Sequence, residues 1–270
     1  MELIYFFNWK KVYKTNNNID VDSLKEKGYL KLESGSLNPE LENKLIYSCE
    51  KIIQASQKNE KAGKAYLHQI LSKSDVLNSP SLVDFALSNE VLSVVGSYLG
   101  SKPVLTQIKI LKSIPTENDK SGSQLFHCDH DDVKQVKVFV NLINVNINSG
   151  PLVVVDSKTS ENYRKKIDYR WGGLKGHLKD EEHLELKNSS VPLLGEKGGV
   201  SFVDTSSSFH KGSADMKNER YVFYLQYLSR TSFVINPFLM LLPSSLRIKM
   251  KGFPCAWMSP VSKGKEKFLV

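Results

Sequence analysis

The densest grouping of residues able to bind a metal is Phe126-His127-Cys128-Asp129-His130-Asp131-Asp132, where five of seven are His or Asp. It directly precedes a β-type run. In an extended chain, residues two apart project to the same side, so His127 and Asp129 present a nitrogen and a carboxylate together while Cys128 turns away. His130 with Asp132 offers a second pair of the same kind. About eighty residues on, Phe209-His210-Lys211-Gly212-Ser213 follows the strand-like run 198–204, and Arg220 opens the strand-like run 220–227. If those two runs pair antiparallel, His210 and Arg220 share a pocket. Two imidazoles and one carboxylate form the set that holds non-haem Fe(II), and they leave three coordination positions open. A 2-oxo acid fills two of these and dioxygen the third. A buried Arg, with Arg220 the candidate, meets the far carboxylate of such a cosubstrate through paired charge-assisted hydrogen bonds.

Positioning these groups requires a rigid β scaffold, and the second half of the chain supplies one. Residues 104–111, 135–145, 152–155, 199–203 and 220–228 are rich in Val, Ile, Phe and Tyr and are separated by turn residues. Val136, Val138, Val140 and Leu142 fall on one side of the second run, with Lys137, Phe139, Asn141 and Ile143 on the other. Several short strands without alternating helices predict a sandwich or barrel. The polar stretch 156–190 reads as an insertion and a candidate lid, with Tyr169 and Trp171 able to cover a substrate or tether the loop.

The first hundred residues read mainly as helix. Leu41, Leu45, Ile46, Cys49, Ile52 and Ile53 recur at spacings of three and four, which predicts an amphipathic helix over 38–56. Ser79 with Pro80 marks the start of another, whose apolar pattern runs to a stop at Gly100. Residues 20–27 form a candidate third helix before a short strand at Tyr29.

Composition excludes several classes of function. With 270 residues, 40% apolar and 24% charged, the chain is long enough to bury a real core and is not disordered as a whole. The formal charge of +8 is concentrated at the end: residues 230–270 carry seven Lys or Arg and one acidic residue, a net +6, which leaves +2 for the rest. An evenly mixed body argues against nucleic acid as a partner. No apolar run reaches the length of a membrane span, and residues 3–7 are too short for the apolar region of a secretion signal. Three widely spaced cysteines imply no disulfide framework, so the expected compartment is the cytoplasm. The tail, with Arg247, Lys249 and Lys251 after the apolar residues 238–242, reads as a segment packed on the core or as an anionic-partner patch.

Taken in order, Ser123-Gln124-Leu125-Phe126-His127-Cys128-Asp129, Asp132, Lys137-Val138-Phe139-Val140 and Asn148-Ser149-Gly150-Pro151-Leu152 resemble the phytanoyl-CoA dioxygenase family of Fe(II)/2-oxoglutarate oxygenases. Phe202-Val203-Asp204-Thr205, Phe209-His210-Lys211-Gly212 and Arg220 match the second half of that family's pattern, and the resemblance covers roughly residues 20–230. It implies a mostly β fold with flanking α-helices, a double-stranded β-helix or jelly-roll barrel of the cupin type. It implies His127, Asp129 and His210 as iron ligands, Arg220 as the anchor of the 2-oxoglutarate distal carboxylate, and Ser213, Gln107 or Lys109 as further cosubstrate contacts. The expected organisation is a single oxygenase domain over 1–270, with a helical part to 100, a jelly-roll core over 101–230 and a basic extension over 231–270.

Two features bear on the reaction that the resemblance implies. Val155-Asp156-Ser157-Lys158 stands where many members carry a Pro-Gly-Ser-His run, so the pocket lip differs. Asp129 is kept where halogenating relatives lose the carboxylate, which favours hydroxylation or desaturation of a small organic substrate, and the basic tail favours an anionic or carrier-linked one. A non-catalytic jelly-roll binding module and a cupin-like metal hydrolase or isomerase are the alternatives; oligomeric state is not written in the sequence. His68, His177 and His183 lack a partner at ligand spacing and read as surface or satisfied core histidines.

Overall fold

The computed structural model describes residues 19, 21–56, 66–116, 120–132, 134–169, 176–213 and 215–229. The basic tail after residue 229 and Trp171 lie outside the described residues.

Helix α1 (Asp22–Lys27) leads into strand β1 (Tyr29–Leu32) through Gly28, whose φ of 77° closes the helix. A Cβ there would also meet Ser208 Oγ at 2.2 Å, so glycine is required twice over. Helix α2 (Pro39–Ser56) buries Leu45, Cys49 and Ile52, the stripe its periodicity predicts. Helix α3 (Lys73–Asn78) begins with a reciprocal capping box between Ser72 and Asp75.

The helix expected from Ser79 to Gly100 is two helices, α4 (Pro80–Ala86) and α5 (Asn89–Leu99), bent by 40° at Leu87 and Ser88. The cause is local. Ser88 Oγ accepts a hydrogen bond from the Val91 amide at 3.3 Å and so starts a new helix, while the Leu87 amide closes the old one on Val83. The bend re-aims the second apolar face, and Leu82, Phe85, Val91, Leu92, Val94 and Val95 are all buried. Gly100 ends α5 with φ 66°, as its position in the sequence predicts. Among the described residues no single helix is long and apolar enough to cross a membrane.

Among the described residues all strand pairing is antiparallel and falls into two sheets. The larger has the order β1-β7-β4-β9-β3-β2, where β2 is Leu67–Gln69, β3 Pro103–Ser113, β4 Gln135–Asn141, β7 Val200–Val203 and β9 Arg220–Ser229. The smaller has the order β6-β5-β8, with β5 Leu152–Val155, β6 Ser190–Pro192 and β8 His210–Gly212. One further bridge matters most: His127 pairs with His210 on the free edge of β8 through amide-to-carbonyl bonds of 3.1 and 3.0 Å. The two expected metal-binding histidines are therefore neighbours across one antiparallel ladder.

The antiparallel pairing of 198–204 with 220–227, considered from the sequence as a way to bring His210 beside Arg220, does not occur. Strand β4 lies between β7 and β9, and the chain after β7 crosses to the smaller sheet before returning. A Greek-key path rather than a hairpin joins the two runs.

Alternation along β4 divides its side chains as the sequence predicts. Val136, Val138 and Val140 are fully buried against Ile108, Ile110, Phe223, Leu225 and the helices. Each such valine contributes roughly 1.5–3 kcal/mol of burial, which anchors the strand's register. Lys137 and Phe139 face the other way, into a cavity between the sheets. The 156–190 insertion carries α6 (Ser157–Lys166), capped by Asp156 on the Thr159 amide at 2.8 Å, and α7 (Leu184–Asn188). Tyr163, Leu178 and Leu186 from it pack with Phe126, Cys128 and Phe209 in a second core.

Candidate metal centre

His127, Asp129 and His210 each offer one ligand atom, and these atoms lie within 4.8 Å of one another. His127 Nε2 is 3.8 Å from Asp129 Oδ1, and His210 Nε2 is 3.5 Å from Asp129 Oδ2. The ring centroids of the two histidines are 4.3 Å apart. Each Nδ1 is bonded to a backbone carbonyl: His127 to Leu125 at 2.8 Å and His210 to Ser208 at 3.2 Å. A carbonyl only accepts, so Nδ1 carries the proton and Nε2 is left as the free lone pair of each ring. That is the tautomer a metal ligand needs.

Electrostatics agree with that assignment. Burial, reinforced by the neighbouring His210, lowers His127 to about 3, and burial likewise lowers His210, so both rings are neutral and their contacts to Asp129 are not ion pairs. Burial alone would raise Asp129, but the charge of Lys137 together with the two histidines outweighs it and holds the carboxyl below its usual range. Two neutral nitrogens and an ionised carboxylate are a donor set suited to a divalent transition metal.

A second layer fixes Asp129. Its amide donates to Thr205 O at 2.8 Å. Thr205 sits in a turn organised by the buried Asp204, which accepts from Tyr98 Oη at 2.5 Å, the Ser206 amide at 2.9 Å and Ser206 Oγ at 2.6 Å. The Phe202-Val203-Asp204-Thr205 motif thus acts through the backbone. Asp204 is not a counter-ion of Arg220, and neither is Glu219, which pairs with Lys112 at 3.0 Å.

The cavity measures about 670 Å³ and is lined from both sheets. Gln107, Lys109, Ser213 and Arg220, the expected cosubstrate contacts, all face it. Arg220 Nε is buried without a hydrogen-bond partner, and so is Gln107 Oε1. Burial pulls the guanidinium down to about 10 with no carboxylate to restore it. Among the described residues, a buried guanidinium Nε and an amide oxygen without partners in one cavity suit a polar, anionic ligand.

Other histidines sort differently. His130 is exposed and stands outside the cluster, which removes the alternative pair with Asp132. His177 is exposed, as the sequence reading allows, yet it reaches the site: its ring centroid is 5.2 Å from that of His127, and it lines the cavity. Nothing in its local sequence signals this, because the insertion brings it there. His183 bonds Tyr163 Oη at 2.9 Å, and His68 lies on β2. Cys128 is buried, with its thiol pushed up to about 12, chiefly by burial. Tyr169 tethers the insertion: its hydroxyl accepts from the Cys128 amide at 3.1 Å and donates to Gly176 O at 2.8 Å.

Alternation in the sequence gives the direction of Lys137 but no signal of a chemical role. Its ammonium donates to Asp129 Oδ2 at 2.5 Å. Tyr224 and Gln226, which pair in register with Phe139 and Lys137, complete this wall.

No family model matches the sequence, and no curated protein matches it. Solved structures do. The non-heme alpha ketoglutarate dependent carbocyclase SnoK from nogalamycin biosynthesis superposes with a TM-score of 0.58 at 15% identity, covering 85% of this chain and 92% of that one. EctD from S. alaskensis in its apoform gives 0.56 at 16% identity, over 84% and 82% of the two chains. HygX from Streptomyces hygroscopicus, solved with nickel and 2-oxoglutarate bound, gives 0.55 at 12% identity, over 83% and 90%. The chain therefore has the fold of these enzymes, antiparallel sheets with flanking helices around a central cavity.

Proposed function

We propose that this protein is an Fe(II)- and 2-oxoglutarate-dependent oxygenase of the phytanoyl-CoA dioxygenase type, hydroxylating or desaturating a small organic molecule with release of succinate and carbon dioxide. One observation carries the reading: two neutral imidazoles and a carboxylate converge in a cavity that also holds a guanidinium whose buried Nε has no partner among the described residues. The fold likeness supports it, and so does strand order. With the 126–127 segment counted beside β8, the small sheet reads β6-β5-β8 and then that segment, facing β7-β4-β9-β3 of the large one. We read these as the two four-stranded faces of a jelly roll within a single oxygenase domain.

His127, Asp129 and His210 would hold the ferrous ion, which when bound supplies the dioxygen activation and C–H oxidation that no side chain can provide. The chain's own residues do the rest. Arg220 holds the far carboxylate of 2-oxoglutarate, with Gln107 and Ser213 as polar neighbours of the same cavity. The carbonyls of Leu125 and Ser208 keep each Nδ1 protonated, which fixes both rings in orientation. Phe139 and Leu152 give the cavity apolar wall, limiting water around the substrate. No side chain is required as a general acid or base. The retained Asp129 favours hydroxylation or desaturation over halide transfer.

The test is turnover. Purified protein with Fe(II), air and 2-oxoglutarate should form succinate slowly without substrate, and the Arg220→Met variant should not at the same cosubstrate concentration. Metal uptake without any dependence on 2-oxoglutarate would replace this reading with the hydrolase or isomerase alternative.

A further inference from the structure

The ammonium of Lys137 occupies one of the two oxygens of Asp129, while the other oxygen faces His127. Its side chain is 13% exposed and that of Asp129 17%, so water screens the pair poorly. Lys137 cannot easily leave. Its strand is paired on both sides, to β7 through Val203 and to β9 through Gln226, and its neighbours Val136 and Val138 are fully buried on the opposite face. The ammonium also lies 5.6 Å from the Tyr224 ring centroid, a cation–π contact that holds it on the cavity side.

Two neutral imidazoles, one carboxylate and one ammonium sum to zero, where the same donors without the lysine would carry one negative charge. A dication entering alone would meet this neutral site and, in the same cavity, the two cations Lys109 and Arg220 against the one further carboxylate of Asp131. A 2-oxoglutarate dianion entering with the metal reverses that balance.

We propose that Lys137 is a charge-setting residue that weakens divalent-metal binding at His127, Asp129 and His210 in the absence of 2-oxoglutarate, and so makes loading of metal and cosubstrate mutually dependent. The proposal rests on the oxygenase reading for its cosubstrate half only. By linkage, whatever factor 2-oxoglutarate adds to metal affinity, the metal adds to 2-oxoglutarate affinity. Lys137 is a positioning residue in this scheme, acting on the metal through Asp129.

Anaerobic Co(II) titrations followed by visible absorption and calorimetry test it on the full chain. Without 2-oxoglutarate, Lys137→Met should bind Co(II) about tenfold or more tightly than the parent protein, and Lys137→Arg, which keeps the charge, should match the parent. Adding 2-oxoglutarate should raise the parent's Co(II) affinity by a factor about ten times larger than it raises that of Lys137→Met. A merely structural lysine would give the opposite sign, because a disturbed site binds metal more weakly. Equal or weaker Co(II) binding by Lys137→Met overturns the proposal. Should that variant fail to fold, Lys137→Gln provides the same neutral comparison. If the parent binds Co(II) but never 2-oxoglutarate, the oxygenase reading fails, while the comparison without cosubstrate still decides the role of Lys137.

Discussion

Replacing Arg220 by Met should make the protein more stable and at the same time unable to hold 2-oxoglutarate. In the free protein the guanidinium is desolvated with no counter-ion among the described residues, and burial lowers it from 12.5 to about 10. A base depressed in the folded state is penalised at every pH below the folded value, so at neutral pH the drop amounts to ~3 kcal/mol against folding. Met keeps much of the volume and removes the charge, leaving Ser113 opposite it in register on β3. Urea denaturation of metal-free protein should show the variant more stable by about 1–3 kcal/mol, the lower figure allowing for relaxation around the longer side chain. With Co(II) and 2-oxoglutarate present the order should reverse. The parent gains stability as the logarithm of ligand over Kd, whereas the variant has lost paired charge-assisted hydrogen bonds and binds about a hundredfold or more weakly. A variant that is destabilised without ligand would show that Arg220 has a partner in the fold. One that is stabilised by 2-oxoglutarate as much as the parent would remove Arg220 from the cosubstrate site.

Two further outcomes follow from the same electrostatics and packing. Because His127 is lowered to about 3 and His210 is lowered too, the unfolded chain binds protons near pH 6.5 that the folded chain refuses. Their contribution is complete above pH 6.5 and is lost as pH falls towards 3, at up to about 1.4 kcal/mol per pH unit for each ring. Urea midpoints of metal-free protein should therefore fall between pH 7 and pH 5, with a smaller fall in His127→Gln; a flat profile would mean the rings are not buried neutral. Tyr169→Phe strips the Cys128 amide of its hydroxyl acceptor, leaving a buried donor unmatched. It should cost about 1–3 kcal/mol by chemical denaturation, and no loss would show that the insertion is held by its apolar contacts alone.

Much of this architecture is legible in the sequence because period and punctuation are local. Alternation along β4 gives both the buried valines and the cavity-facing Lys137, and the stop at Gly100 is written in one residue. What stays hidden is non-local. The break at Ser88 competes with an apolar pattern that continues through it, and only the cap on Val91 decides in favour of two helices. The placement of β4 between β7 and β9 depends on a crossover that no single strand encodes. His210 and Arg220 still face one cavity, but by way of two different sheets rather than through direct pairing of the two runs. His177 is the clearest case: nothing at ligand spacing marks it in the sequence, and the folded insertion sets it beside His127.

The central claim is that His127, Asp129 and His210 grip one ferrous ion beside a 2-oxoglutarate anchored by Arg220. Anaerobic addition of Fe(II) and 2-oxoglutarate should produce the weak visible charge-transfer absorption of the iron–2-oxoglutarate chelate, and His210→Ala should abolish it while the far-ultraviolet circular dichroism stays unchanged. An undiminished band in a folded His210→Ala protein, or no band in the parent, would contradict the account.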